Sequence, residues 1–177
     1  MNADGTWITS WGESGTDDNQ FYCPHNIDIS PDGTKVLVAD RENSRVSVYT
    51  VDGVLLDNWS AGHRPAGLCA RGGFVYVAEQ QARMEFAGFQ KFDQLDTWSH
   101  NIGCRVSIYD VDTGQRVQTL SGPTPGERPD QFISLHSIAV DSKGDIYCAE
   151  VSHVDVGSRM DPPREMMSLR KWRRVAD

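Results

Sequence analysis

The chain lacks any run of 18 apolar residues, the length a helix needs to cross a bilayer, so it offers no transmembrane helix and no membrane partner is expected. It has no basic stretch followed by an apolar one near its start, so no signal peptide is read, and the compartment stays unknown. It is short of positive charge, with 17 Lys and Arg against 25 Asp and Glu, a formal net charge of −8. An acidic chain is a poor partner for a polyanion, so nucleic acid is not expected either. The one basic run, Arg170-Lys171-Trp172-Arg173-Arg174, reads as the solvated face of an outer strand. The chain also lacks metal-binding cysteine spacing, because Cys23, Cys69, Cys104 and Cys148 lie 35 to 46 residues apart. Cys69 and Cys148 read as small core residues. Cys23 and Cys104 sit at strand entries, where a disulfide between them is the pairing to test.

What is present is a repeat. His25 to Ser30 alternates, Pro31-Asp32-Gly33 is a turn, Lys35 to Ala39 is rich in Val and Leu, Arg45 to Tyr49 alternates again, and Val54 to Trp59 closes the unit. The second copy runs from Pro65-Ala66-Gly67-Leu68 through Phe74 to Glu79 and Arg105 to Tyr109, and ends at Leu120. The third runs from Leu135-His136-Ser137-Ile138 through Asp145 to Glu150 and Leu169 to Trp172. Thr6 to Trp11 reads as the last strand of a preceding unit. The offset from His25 to Ala66 is 41 residues, and from Ala66 to His136 it is 70, because an insertion splits the second copy. Four short strands repeating about every 40–45 residues point to an all-β fold of β-propeller blades. A solenoid or an immunoglobulin-like sandwich fits less well.

The expected blades are 22–60, 64–121 and 132–175, with rim insertions at 80–103 and 151–166. Propellers close with about four to eight blades, so three blades and a leading strand make part of a ring. Further blades, or a second chain, are expected to complete it.

His25 and His136 hold the same place in the first and third copies, where a blade's first strand lines the central channel. Two imidazoles there can face one ion, and neutral imidazole suits zinc. The alternative is a polar channel mouth, with both rings bonded to backbone or water. Arg41 recurs in no other copy, so it is a better functional candidate than Arg45 and Arg105, which recur. Asp40, Glu79 and Glu150 recur too and read as scaffold carboxylates, with the repeated arginines as their partners. His63 is either a loop residue or a further contact at the channel mouth.

Pro24-His25-Asn26-Ile27, together with Val38-Ala39-Asp40-Arg41-Glu42-Asn43-Ser44-Arg45-Val46, resembles the NHL-repeat propeller of the peptidyl-α-hydroxyglycine α-amidating lyases and their bacterial relatives. The resemblance implies the C-terminal half of a six-bladed ring. It implies a zinc-dependent lyase that breaks the C–N bond of an α-hydroxyglycine-type amide, a small-molecule or peptide-derived substrate. It implies zinc on His25 and His136, Arg41 as the active-site arginine binding a carboxylate, and a structural calcium deeper in the channel. Ser137 stands where the family often has an Asp linked to that calcium. The family's first zinc histidine, second arginine and tyrosine have no counterpart in this chain. The competing expectation is a non-catalytic propeller segment that serves as a binding or scaffold module.

Overall fold

The computed structural model describes residues 5–61, 63–81, 104–121 and 125–175. Most of the first insertion, with its aromatic residues, lies outside them.

Three antiparallel sheets follow one another along the chain, each a meander. The first is β3 (Pro24–Ile29), β4 (Lys35–Asp40), β5 (Arg45–Thr50) and β6 (Leu55–Ser60). The second is β7 (Pro65–Arg71), β8 (Phe74–Glu79), β9 (Arg105–Asp110) and β10 (Arg116–Leu120). The third has three strands, β11 (Leu135–Val140), β12 (Ile146–Glu150) and β13 (Leu169–Trp172). These are NHL-type propeller blades, as the repeat predicts. A parallel pair, β1 (Glu13–Ser14) and β2 (Gln20–Phe21), precedes them. Thr6 to Trp11 was expected to be a strand and forms none, since no sheet stands beside it for pairing. The 151–166 insertion holds α1 (Ser152–Asp155) and a short 3-10 turn at Gly157–Arg159.

The middle strands carry β-branched and aromatic residues and are buried almost throughout, as strands packed on both faces must be. The fourth strands β6 and β10 are mostly exposed, which puts them at the rim. One core lies between blades one and two, built on Leu37, Val46, Trp59, Val75, Val77 and Tyr109. A second lies between blades two and three, built on Val106, Ile108, Phe132, Leu135, Ile138 and Ile146. A small third cluster, Val36, Val38 and Tyr49, lies under Trp11 and Phe21.

All four cysteines are free, so no Cys23–Cys104 disulfide forms. Cys23 is exposed, whereas Cys104 is buried and its sulfur accepts the Gln81 and Leu135 amides. Burial pushes the Cys104 thiol up to about 11 and Cys148 to about 12, which leaves both as inert core thiols.

The recurring carboxylates pair with the recurring arginines: Arg45 with Asp40 at 2.9 Å and Arg105 with Glu79 at 2.7 Å. Blade three has the same pair in Arg170 and Glu150 at 2.5 Å. Arg170 is therefore buried, which corrects the reading of the basic run as wholly solvated. Its guanidinium also donates to the carbonyls of Gly126 and Arg128. Lys171 does face outward, against Asp145 at 2.7 Å.

Candidate functional site

The three first strands lie side by side, with β7 between β3 and β11. Each carries the same irregularity at the same place. Pro24 faces Asp40 and Asn26 faces Ala39, which leaves His25 as the extra residue of a β-bulge. Ala66 is the extra residue between Pro65 and Gly67, and His136 the one between Leu135 and Ser137. A bulge re-aims the side chain it carries. Here it turns His25 toward blade two, where Nδ1 lies 2.9 Å from the Ala66 carbonyl oxygen. Further along β3, Asn26 Oδ1 accepts the Leu68 amide at 3.1 Å and Asp28 Oδ2 accepts the Ala70 amide at 2.7 Å. Blade one is thus laced to blade two beside the histidine.

The bulges bring His25 and His136 together. Their ring centroids are 4.6 Å apart and their planes cross at 74°, an edge-on contact. A carbonyl can only accept, so His25 Nδ1 carries the proton and Nε2 of the neutral ring keeps its lone pair. Burial lowers the pKa of both rings below the ordinary imidazole value. For His25 the Ala66 bond works against this shift, and Arg41 and Arg64 add to it. For His136 the neighbouring His25 and Arg41 add to it, while Asp155 opposes it. The pair is neutral at pH 7, the form that binds metals.

Arg41 opens a 3-10 turn, Arg41–Asn43, that closes at Ser44 with φ of 53°. Its Nε donates to Glu42 Oε1 at 2.7 Å and its Nη2 lies 3.3 Å from Cys23 Sγ. Glu42 also takes Arg64 of blade two, with Nη2 at 3.0 Å from Oε1. One buried carboxylate therefore holds two guanidiniums from different blades, leaving a net positive charge beside the histidines. His63 is 2% exposed, and its neighbour Arg64 reaches the cluster through Glu42.

Glu42, Arg64 and Asp155 were not picked out from the sequence. Glu42 and Arg64 meet across a blade boundary, 22 residues apart, and no spacing rule announces that contact. Asp155 arrives on the rim insertion, where it accepts the Ser134 hydroxyl. Among the described residues no cluster of three or more His, Cys, Asp or Glu has metal-binding geometry, so the chain offers two imidazoles.

The fold and this site define a run of NHL-type propeller blades with a histidine pair on its inner strands and an arginine pair beside it. The NHL repeat family matches residues 21–49, the segment that carries His25 and Arg41. No curated protein matches the chain. Among solved structures it is similar to a protein of unknown function from Bacteroides caccae, with a TM-score of 0.58 and 14% identity. That match covers 83% of this chain and 44% of the other. It is also similar to the hydrazine synthase of Kuenenia stuttgartiensis, with a TM-score of 0.51 and 14% identity over 84% of this chain and 32% of that one. At such identity the likeness is one of fold, and this chain spans less than half of either structure.

Proposed function

We propose that this chain is part of a zinc-dependent, lyase-like propeller. In this reading His25 and His136 hold the metal and Arg41 holds an anionic group of the substrate. The observation that carries it is the meeting of two neutral imidazoles from different blades, one with its tautomer fixed by the Ala66 carbonyl. Two imidazoles fit zinc as part of a ligand set, and a Lewis acid held there polarises a substrate hydroxyl and eases its deprotonation.

The chain's own residues supply the rest. Glu42 fixes the Arg41 guanidinium through Nε and Cys23 Sγ meets Nη2, which leaves Nη1 to meet a carboxylate. Arg64 balances Glu42, so the cluster stays cationic. The resemblance to amidating lyases gives the finer form of the proposal. The substrate is an α-hydroxyglycine-type amide: its hydroxyl gives up a proton, the C–O becomes a carbonyl as the C–N bond breaks, and the amide nitrogen takes up a proton, so that a primary amide and glyoxylate leave.

The test is zinc binding by the purified chain, followed by calorimetry. The wild type is expected to take up zinc, and His25→Ala and His136→Ala each to weaken binding at least tenfold with unchanged circular dichroism. If zinc does not bind, or binds both variants as it binds the wild type, the lyase reading loses its chemistry. The non-catalytic scaffold segment then stands.

A further inference from the structure

Trp11 sits where the repeat places the end of a neighbouring blade's fourth strand. In blade one that strand is β6, and its Trp59 lies over Tyr109 of blade two with ring centroids 6.1 Å apart. Trp11 meets Tyr49 of blade one at the same 6.1 Å, with the rings tilted at 46° where Trp59 and Tyr109 stack at 17°. Each tryptophan also covers the glycine of the following hairpin. A Cβ on Gly114 would fall 2.3 Å from the Trp59 ring, and one on Gly53 2.7 Å from the Trp11 ring. Trp11 is therefore docked as the end of a fourth strand, but the segment leading to it belongs to no sheet. Thr6 to Trp11 forms no strand, with Trp7 76% and Ile8 64% exposed.

Blade three has the complementary gap. Its described residues give three strands, with β13 at the edge and Leu169 69% exposed. Beside β13 runs a groove of about 820 Å³ lined by Tyr76, Ile108, Leu120, Ile146 and Trp172.

We propose that Thr6–Trp11 of a second copy of this chain adds to β13 as the fourth strand of blade three. Two chains then close head to tail into one ring of six blades. An unpaired strand edge is a ready template for such addition, and six blades fall within the range that closes. The register follows from blade one, where Val46 lies between Ala39 and Trp59: Leu169, which faces Ala149, takes the place of Val46 and faces Trp11 of the second copy. The same closure lays the second copy's blade three against the exposed Ile27 and Ile29 of blade one. It also brings two His25–His136 pairs to one channel, a consequence that rests on the zinc reading above.

The test is light scattering after gel filtration over a concentration series, on the full chain and on the Ile8→Pro, Thr9→Pro double variant. Proline removes the amides an added strand donates, and these residues belong to no ladder within one chain, so each copy keeps its fold. The expected result is a two-copy mass for the wild type, a one-copy mass for the variant, and, in the wild type, slowed amide exchange at whichever of Ile8 and Thr9 points its N–H at β13. A wild type at one-copy mass throughout, or a variant that keeps the two-copy mass, overturns the proposal. Mass tests the ring and zinc content tests the site, so the two readings fail separately.

Discussion

Blades one and three resemble each other where blade two differs from both. In blade one the Asp40 carboxylate holds Arg45 with one oxygen and the Tyr22 amide with the other. In blade three Glu150 does the same for Arg170 and for the Ile133 and Ser134 amides. Each carboxylate thus clamps the loop that enters a histidine-bearing bulge. In blade two Glu79 holds Arg105, but its Oε1 is buried with no hydrogen-bond partner among the described residues. The matching loop amide, His63 N, goes to the Ala61 carbonyl at 2.5 Å. That loop carries Arg64 to Glu42, and its strand carries Ala66, whose carbonyl orients His25. The difference teaches that blade two gives up a histidine and a clamp and becomes the blade that positions another's histidine.

The largest expected effect lies in the buried ion pairs. Arg170→Ala strands a buried carboxylate and is expected to cost about 3–5 kcal/mol in urea unfolding. Arg105→Ala is expected to cost clearly less at pH 6, because Glu79 can take up a proton when its partner is lost. Equal costs would erase the contrast between the blades.

Next comes the pH dependence that this contrast implies. Burial raises Glu79 from 4.5 to about 7, against the pull of Arg105. The folded state therefore binds a proton more readily than the unfolded one. The stability this gives is full below pH 4.5 and is lost as pH rises through about 7, for a total of about 3 kcal/mol. Glu79→Gln is expected to flatten that part of the stability profile. A variant that keeps the wild-type slope between pH 5 and 7 would assign the slope to another group.

Much of this architecture was legible because it repeats. Asp40, Glu79 and Glu150 recur at the ends of the second strands, and Arg45 and Arg105 at the starts of the third, so the pairing is visible as pattern. His25 and His136 were legible as neighbours for the same reason, since equivalent places on first strands converge toward one channel. The bulge was not legible. Pro24-His25-Asn26 alternates as smoothly as an unbroken strand, and only the pairing with Asp40 and Ala39 exposes the extra residue. Arg170 was misread because a run of like charges looks solvated; it faces Cys148 rather than Glu150 across the strands, two places along from where Arg45 and Arg105 stand, so the repeat does not mark it as their counterpart. The Glu42–Arg64 bridge joins residues that only blade packing brings together, and Thr6–Trp11 has a strand's pattern without a sheet to complete it.

The smallest effect concerns the seam between blades two and three. Gly67 follows the bulge of β7, where blade one has Asn26 and blade three Ser137. A Cβ there would lie 2.9 Å from Ser137 Cα and 3.1 Å from the His136 carbonyl oxygen, both backbone atoms that cannot rotate away. Gly67→Ala must therefore push β11 outward and move His136 away from His25. The expected cost is about 1–3 kcal/mol, the range for overpacking a filled contact, together with weaker zinc uptake. Gly33→Ala is the control, because that turn glycine has φ of 75° and open space around it. It carries a backbone penalty of about 1 kcal/mol and leaves the histidines in place. Calorimetric unfolding and zinc titration of the two variants separate the effects. If Gly67→Ala weakens zinc binding no more than Gly33→Ala does, the close seam of blade two is not what sets the distance between the histidines of blades one and three.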